Sequence, residues 1–227
     1  IKKIKSLSRE KVKSFNFDAV ESCKSLQDII SQINYKIHDL EKIKSVKLKK
    51  FLNSRLKPIY LNLSKKSKLS KMFKMFYQPI KENLEILSPS DFGFHNSIKK
   101  SKKIIFIDFE YFGKDDPVKL CADFMLHPGM HLKNEQKKNW LKDIIQIFKI
   151  DKYFSRRLRF LLPFYAIRWS LIVLNDFKMK NTNNSYISIK GKKSLLINQA
   201  NQLKKAIFFC NLVKSESFNF SFLIIIS

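Results

Sequence analysis

The chain has 227 residues, of which 44% are hydrophobic and 28% are charged, a composition that places it among globular proteins with a sizeable core. Its 45 basic and 19 acidic residues give a formal net charge of +26, which is compatible with a nucleic-acid or anionic-membrane partner. Most of the basic residues are scattered lysines, however, and no nucleic-acid-binding motif accompanies them. A solvated surface is therefore expected, with polyanion binding as the alternative.

The spacing of the cysteines and the length of the apolar runs indicate in which cellular compartment the chain is expected. The cysteines lie far apart and form no CxxC pair: Cys23, Cys121 and Cys210. They are expected to be buried thiols in a reducing cytoplasm. No secretory signal is visible at the start of the chain. The longest apolar run, Leu161 to Leu174, is interrupted by Pro163 and Arg168, so no transmembrane segment is predicted.

Residues 1 to about 80 are predicted to form a helical subdomain. Apolar residues recur at helical spacing from Leu26 to Leu40, behind a capping box that begins at Ser25. A second helix is predicted from Val46 to Leu56, ending near Pro58. A third is predicted from Leu69 to Tyr77.

The hydrophobic period changes after this subdomain. Two short strands are predicted at Ser97-Ile98 and at Lys103–Asp108, joined by a turn. The second strand is apolar on both faces, which is typical of a buried strand. The dipeptide Asp116-Pro117 is typical of a helix start, with a capping carboxylate and a proline at the first helical position. That helix is predicted to end at His127.

The rest of the chain is predicted to be helical, apart from a polar loop at 181–193. The predicted segments are Asn134 to Phe148, Asp151 to Phe177 and Leu195 to Val213. Arg156 and Arg157 are expected on a solvated helix face, with contact to a substrate or phosphate as the alternative. An apolar, β-prone tail closes the chain.

The loop that contains Asp91 and Asn96 carries the strongest chemical signal. Its sequence, Ser-Pro-Ser-Asp-Phe-Gly-Phe-His-Asn, places an Asn five residues after an Asp, and Asp108 follows an apolar strand soon afterwards. A phosphoryl donor needs divalent cations, which prefer carboxylate and amide oxygens, and the acceptor hydroxyl needs a carboxylate to receive its proton. In protein kinases an Asp, an Asn five residues later and a strand-end Asp divide these tasks. Alternatively, Asp91 and Asp108 are ordinary turn or cap carboxylates.

Three segments together resemble one enzyme family. The loop Ser88–Asn96, the segment Ile107–Pro117 and the tripeptide Ala122-Asp123-Phe124 are similar to motifs of the aminoglycoside phosphotransferase and choline kinase-like family of small-molecule kinases. The resemblance covers residues 80 to 180 and implies an α+β, mostly helical fold. That fold is the C-terminal lobe of a protein-kinase-like protein, with a short catalytic β-hairpin and additional N-terminal helices. The expected domains are a helical subdomain at 1–80, a kinase-like lobe at 81–215 and an apolar tail at 216–227.

The resemblance implies a role for each matching residue. Asp91 would be the catalytic base, and Asn96 and Asp108 would be ligands of Mg²⁺. Asp123 would be a buried carboxylate that accepts backbone N–H bonds from the catalytic loop. Gly93 would allow a tight backbone path between the base and the metal ligand. The expected cofactors are ATP and Mg²⁺, and the expected partner is a small molecule with a hydroxyl group rather than a nucleic acid.

Two departures from the family pattern qualify this expectation. Pro89 stands where many members have a histidine, and His95 is expected to pack or to support the site rather than to bind metal. The chain has four glycines and no glycine-rich phosphate loop, and no strand lysine is recognisable. Because it also begins with Ile1 rather than Met, an upstream nucleotide-binding lobe is expected, and the residues that bind ATP are not identified. The expected activity is therefore that of an incomplete phosphotransferase. The alternatives are an inactive kinase-like remnant that acts as a binding module and a basic polyanion-binding protein.

Overall fold

The computed structural model describes residues 12, 14–101, 103–175, 177–178 and 189–215. They form an α+β structure that is mostly helical, with two separate two-stranded antiparallel sheets. The helices are α1 (Leu26–Glu41), α2 (Val46–Phe51), α3 (Lys57–Lys68), α4 (Lys71–Tyr77), α5 (Pro117–Leu126), α6 (Asn134–Ile147), α7 (Phe154–Ile172) and α8 (Ile189–Lys214). The strands are β1 (Ile86–Ser88), β2 (Ser97–Lys100), β3 (Lys103–Phe106) and β4 (Gly113–Asp115).

Helix α1 confirms the predicted capping and apolar stripe. Ser25 Oγ accepts the N–H of Asp28 at 3.0 Å and so satisfies one of the free donors of the first turn. The buried residues recur every three or four positions, as a single core-facing stripe requires. They are Leu26, Ile29, Ile33, Ile37 and Leu40.

The predicted helix end near Pro58 is wrong. The chain passes from α2 through one π-helical turn, Leu52–Leu56, into α3 and stays helical to Lys68. A proline lacks an N–H, and in a regular α-helix its ring clashes with the carbonyl four residues earlier. The wider turn directly before Pro58 accommodates the ring, and Pro58 is the second residue of α3.

Helix α7 lies at the centre of the fold and packs against α1, α5 and α8. The expectation that Arg157 lies on a solvated helix face is wrong, whereas Arg156 is exposed. Arg157 is buried, and its guanidinium donates to both oxygens of Asp116, at 2.8 and 2.9 Å. Asp151 pairs with the same guanidinium at 2.8 Å. Charges that enter a core need such partners, and these two lie 41 and 6 positions away in the sequence.

The smaller sheet beside α5 joins β1 to β4, with Ser88 opposite Gly113. Asp18 forms an isolated parallel bridge with Lys114 in β4. At Gly113 the chains approach so closely that an added Cβ would lie 2.3 Å from the Ala19 backbone nitrogen. Asp116, directly after β4, caps α5 by accepting the N–H of Val118 at 2.8 Å, as predicted.

The hairpin of β2 and β3 pairs Ser97 with Phe106. The prediction that its second strand is buried is wrong, because Ile104 and Ile105 are 56% and 45% exposed. Within the described chain, no helix or further strand covers this hairpin. Its end at Phe106 does pack inward, against Phe92 at 4.6 Å between ring centroids.

The last helix begins earlier than predicted. Helix α8 starts at Ile189, so the predicted loop 181–193 is helical from 189 onward, while residues 181–188 and the apolar tail 216–227 lie outside the described residues. The three cysteines are free and buried, as expected. No described helix combines the length and the apolar character that a bilayer span requires.

Candidate functional site

The loop between β1 and β2 has a left-handed residue directly before Asp91. Ser90 has a φ of 59°, in a region that non-glycine residues seldom occupy and that is enriched at functional sites. Its N–H donates to Ser88 Oγ at 3.0 Å, and its Oγ accepts from Lys119 Nζ at 3.1 Å. The loop is therefore held in a costly conformation at the residue that presents Asp91.

The Asp91 carboxylate is oriented by two neighbours in its own loop. Asn96 Nδ2 donates to Asp91 Oδ2 at 2.9 Å and to the Asp91 backbone oxygen at 3.0 Å. His95 Nε2 lies 2.9 Å from Asp91 Oδ1. Each carboxylate oxygen thus accepts one hydrogen bond and keeps further acceptor capacity, which a general base needs to receive a proton.

These contacts also define which way the Asn96 amide points. Both partners of its nitrogen are oxygen acceptors, so the amide oxygen faces away from Asp91. No donor in the described part of the chain reaches that oxygen. Hard divalent cations bind amide oxygens of this kind, so Asn96 is suited to the ligand role that the sequence predicts.

A backbone contact brings Asp108 to the same end of the hairpin. The Ile107 N–H donates to the Asn96 carbonyl at 3.0 Å, which places the following residue beside the loop. Asp108 is exposed and has a φ of 63°, so it is a second left-handed residue at this site. Among the described residues its carboxylate has no hydrogen-bond donor and no ion-pair partner. It is therefore free to bind a cation.

Tyr111 lies near three acidic side chains of this region. The pKa of Tyr111 is raised mainly by its hydrogen bond to Glu110, and further by the negative charges of Asp108 and Asp91. The Ile107–Asn96 backbone bond and the register of the hairpin place Asp91, Asn96 and Asp108 at one end of it.

A row of aromatic rings holds the loop onto the helices. Phe92, the residue after Asp91, stacks on Phe124 of α5 with ring centroids 5.8 Å apart. Phe124 in turn stacks on Trp140 of α6 at 3.8 Å. Such pairs contribute about 0.5–1.5 kcal/mol each beyond their buried area. This row continues to β3 through Phe92 and Phe106.

Gly93 is needed because neighbouring side chains leave no room for a Cβ atom, and not because its backbone conformation requires a glycine. Its φ of −176° is extended and open to any residue. An added Cβ would lie 2.5 Å from Cε1 of His95 and 2.6 Å from Sδ of Met130. A larger residue would therefore displace the His95 ring from Asp91, so Gly93 acts on the site through His95.

Asp123 differs from the role that the family resemblance implies. Its carboxylate does not accept N–H bonds from the loop backbone within the described chain; it accepts from Trp169 Nε1 at 2.8 Å. It also pairs with Arg168 at 3.5 Å and with Lys119 at 3.2 Å. Lys119 lies one helical turn before Asp123 on α5, so its ammonium group occupies the space between that carboxylate and the loop. Asp123 therefore supports the loop indirectly, through Lys119, which donates to Ser90 Oγ.

Lys119 is a buried cation at the centre of the site. It is 2% exposed and lies between Asp115 and Asp123, with its Nζ 3.2 Å from a carboxylate oxygen of each. Burial by itself lowers the pKa of Lys119, but the charges of Asp115 and Asp123 outweigh it and raise that pKa above its usual range. The side chain therefore stays charged at neutral pH and donates to Ser90.

The segment before α1 is attached to this network through Glu21. Glu21 has a φ of 53°, and its carboxylate pairs with Arg168 and with Lys36, each at 2.5 Å. Burial raises the pKa of Glu21, but the two cations outweigh this effect and lower it overall. Arg168 also donates to Gln32 in α1 at 2.7 Å. The segment before α1 and the helices α1, α5 and α7 thus all contribute side chains to one network of ion pairs and hydrogen bonds.

Asp91, His95 and His127 are close enough to suggest a second cation site, since their ligand atoms lie within 4.8 Å of one another. Two observations argue against it. His127 Nδ1 accepts the Gly129 N–H at 3.1 Å, so the proton of the neutral ring is on Nε2 and no lone pair is left for an ion. The two imidazoles are stacked 3.9 Å apart and are parallel within 7°, so their nitrogen lone pairs do not converge. The histidines position Asp91 rather than bind a metal.

A polar cleft opens beside Asp91, with a volume of about 350 Å³. Residues from six regions line it, among them Glu21, Lys36, Tyr111, His127, Arg168 and Trp169. Burial lowers the pKa of His127, and the nearby charge of His95 lowers it further, so this ring is neutral at pH 7. The cleft has the dimensions of a site for one small polar molecule.

Comparison with known proteins finds no match: no protein-family model, no curated protein and no solved structure is significantly similar to this chain.

Sequence reasoning missed the residues that support the loop. Lys119 carries a partial signal, because Lys119 and Asp123 are spaced by four within one helix, and a further aspartate, Asp115, lies four positions before Lys119. Glu21 and Arg168 carry none, since they are 147 positions apart and nothing in their spacing relates them.

Proposed function

We propose that this chain carries the catalytic residues of an ATP- and Mg²⁺-dependent phosphotransferase that acts on a hydroxyl group of a small molecule. The observation that carries the proposal is the Asp91 carboxylate, which His95 and Asn96 orient, at the same end of the hairpin as the Asp108 carboxylate, which has no partner among the described residues. The protein-kinase-like fold suggested by the motifs belongs to the same proposal. A cytoplasmic location does too, because three free buried thiols suit a reducing compartment.

Each residue has a defined task in this proposal. Asp91 accepts the proton of the acceptor hydroxyl, while His95 and Asn96 keep its carboxylate in one orientation. The Asn96 amide oxygen and the Asp108 carboxylate form a hard-donor pair that fits Mg²⁺. When bound, the ion would neutralise negative charge on the donor phosphates. Lys119 holds Ser90, and so maintains the backbone path that presents Asp91.

Two surfaces next to these residues suit the two substrates. The cleft of about 350 Å³ beside Asp91 suits a small acceptor, since both polar and aromatic side chains line it. The exposed isoleucines of the hairpin suit the apolar base of a nucleotide or a nucleotide-binding lobe. Turnover by this chain alone is expected to be slow, because positioning supplies most of phosphoryl-transfer catalysis and no glycine-rich loop or strand lysine is recognisable.

The test measures nucleotide binding first and transfer second. ATP with MgCl₂ is expected to raise the melting temperature of the chain by about 2–4 °C, and ATP with EDTA is not, if the binding contributes about 1 kcal/mol. Asp108→Asn should abolish the Mg²⁺-dependent rise, because it removes the charged ligand. Asp91→Asn should keep the rise and lose acceptor phosphorylation, measured as ADP release with a panel of hydroxyl compounds.

Glu110→Gln is the matched control, since Glu110 is an exposed carboxylate two residues from Asp108. This variant should behave as the parent chain does. Failure of the parent to respond to ATP and Mg²⁺ would favour a catalytically inactive binding module. A full Mg²⁺-dependent rise in Asp108→Asn would refute the metal role of that residue.

A further inference from the structure

The positive charge of the chain is concentrated in one acid-free segment. Residues 42–81 contain thirteen of the 45 basic residues and none of the 19 acidic ones. A compositional drift toward lysine would not by itself remove every aspartate and glutamate from 40 consecutive positions. Among the described residues, Lys57 is the one basic residue of this segment that forms an ion pair, with Glu41. Most of the segment's charge therefore has no ion-pair partner in the described part of the chain.

Helix α3 presents apolar side chains in the middle of this charge. Leu61, Lys65 and Leu69 are spaced by four and therefore lie on one face of the helix. Leu61 is 65% exposed and Leu69 is 85% exposed. Lys68 and Lys71 flank Leu69 and are exposed as well. These five residues are called the basic face below. Single exposed leucines are ordinary, but two on one face within a group of lysines form an amphipathic surface.

A groove of about 590 Å³ opens beside the basic face, between α3, α7 and α8. Its lining combines cationic side chains with apolar ones, among them Arg55, Lys66, Lys214, Leu63, Pro163 and Val213. A groove with both properties fits a ligand that is anionic at one end and apolar at the other. A phospholipid headgroup with its glycerol backbone has this character.

We infer that the basic face docks on an anionic lipid bilayer, with Leu61 and Leu69 in the interfacial region and the groove beside them occupied by a lipid phosphate. Lysines near a membrane surface each contribute roughly fivefold in affinity for anionic lipid. Exposed leucines add apolar contact that a bilayer interface rewards. Single-stranded nucleic acids are instead bound through aromatic stacking and arginine, and the basic face has neither. This docking does not depend on the proposed phosphotransfer.

The first test is sedimentation of the full chain with phosphatidylcholine vesicles that contain either no anionic lipid or about 30 mole per cent phosphatidylglycerol, which gives the surface a negative potential. Binding is expected with the anionic vesicles alone. The triple variant Lys65→Glu, Lys68→Glu and Lys71→Glu should weaken it by about a hundredfold, as three lost lysine contributions require.

The matched control is Lys138→Glu, Lys142→Glu and Lys149→Glu, which makes the same change in net charge at three exposed lysines elsewhere. It should keep binding within about threefold of the parent, because charges far from the bilayer are screened. Circular dichroism and melting curves verify that both triple variants fold. Equal loss in both would overturn the inference, since binding would then depend on total charge.

A second pair of changes tests the apolar contact. Leu61→Gln with Leu69→Gln should leave binding at low salt nearly intact and remove the part that persists in about 0.5 M NaCl, where the charges are screened. Salt-resistant binding by this double variant would refute insertion of the leucines. Binding of a 20-nucleotide RNA without binding of vesicles would replace the membrane with nucleic acid as the partner.

Discussion

At the scale of single residues, the candidate site depends on side chains that hold the Asp91 loop in place. Asp91 is adjacent to a strained serine, and that serine is held by a buried lysine. Asp115 keeps its own place independently of Lys119, because its Oδ1 accepts the N–H groups of Cys23 and Asp116 at 3.0 and 2.9 Å. Its other oxygen, Oδ2, faces Lys119 and accepts no other hydrogen bond in the described chain.

A double-mutant cycle can measure how strongly Lys119 and Asp115 are coupled. Lys119→Met should lower the free energy of unfolding by about 3–5 kcal/mol, because two buried carboxylates lose their shared cation. Adding Asp115→Asn should restore part of that loss, since an asparagine can keep both Oδ1 contacts while removing one unpaired charge. Urea unfolding followed by circular dichroism measures both. Strictly additive losses would show that Lys119 and Asp115 are not coupled.

At the scale of elements, the helices were predictable because their apolar residues recur with the helical period. Errors arose where the outcome depends on what packs against an element. The apolar run of β3 predicted a buried strand, but apolar composition does not specify whether a covering layer exists. Pro58 predicted a helix end, but one π-helical turn accommodates it. Asp91 and Asn96 were predictable as neighbours, because five residues within one loop bring them together.

The partners of the buried charges were not predictable in the same way. Arg157 meets Asp116 across 41 positions and Arg168 meets Glu21 across 147, so each pair depends on how α7 packs. Local sequence therefore predicted that Asp91 and Asn96 lie together, and it left the residues that support their loop unidentified. The support is a tertiary property, because it is assembled from α1, α5, α7 and the segment before α1.

The sheet of β1 and β4 offers a test of element packing. Gly113→Ala should be destabilising by about 3 kcal/mol or more, because the added methyl group would meet backbone atoms of Asp18 and Ala19 at 2.3–2.6 Å. Gly129→Ala is the control, since its methyl group would meet only the His127 side chain within 3.1 Å. Thermal unfolding of both variants gives the comparison. Similar melting temperatures for the two would contradict the close approach at Gly113.

At the scale of the whole molecule, charge is unevenly distributed. Around Lys119 and Arg168 in the candidate site, acidic and basic side chains form ion pairs, whereas residues 42–81 carry basic side chains alone. The lysines of that segment repel one another in the folded state. Buried pairs such as Arg157 with Asp116 are screened much less by salt than these surface charges are.

Salt should therefore stabilise this protein. Raising NaCl from about 0.02 to about 0.3 M shortens the screening length from roughly 20 to roughly 6 Å, and the melting temperature should rise as repulsion within 42–81 weakens. The variant Lys65→Glu, Lys68→Glu and Lys71→Glu should show a smaller rise than the Lys138, Lys142 and Lys149 triple. A fall in melting temperature with salt would mean that attractive surface pairs outweigh this repulsion.

The aromatic row behind the loop gives the protein a built-in optical probe. The chain has two tryptophans, and each lies one contact away from a residue of the candidate site. Trp140 stacks on the ring that supports Phe92, and the indole N–H of Trp169 donates to Asp123. Anything that shifts the loop or fills the neighbouring cleft changes the surroundings of at least one indole. Intrinsic fluorescence can thus report ligand binding in the unmodified chain, without a label and before any acceptor has been identified.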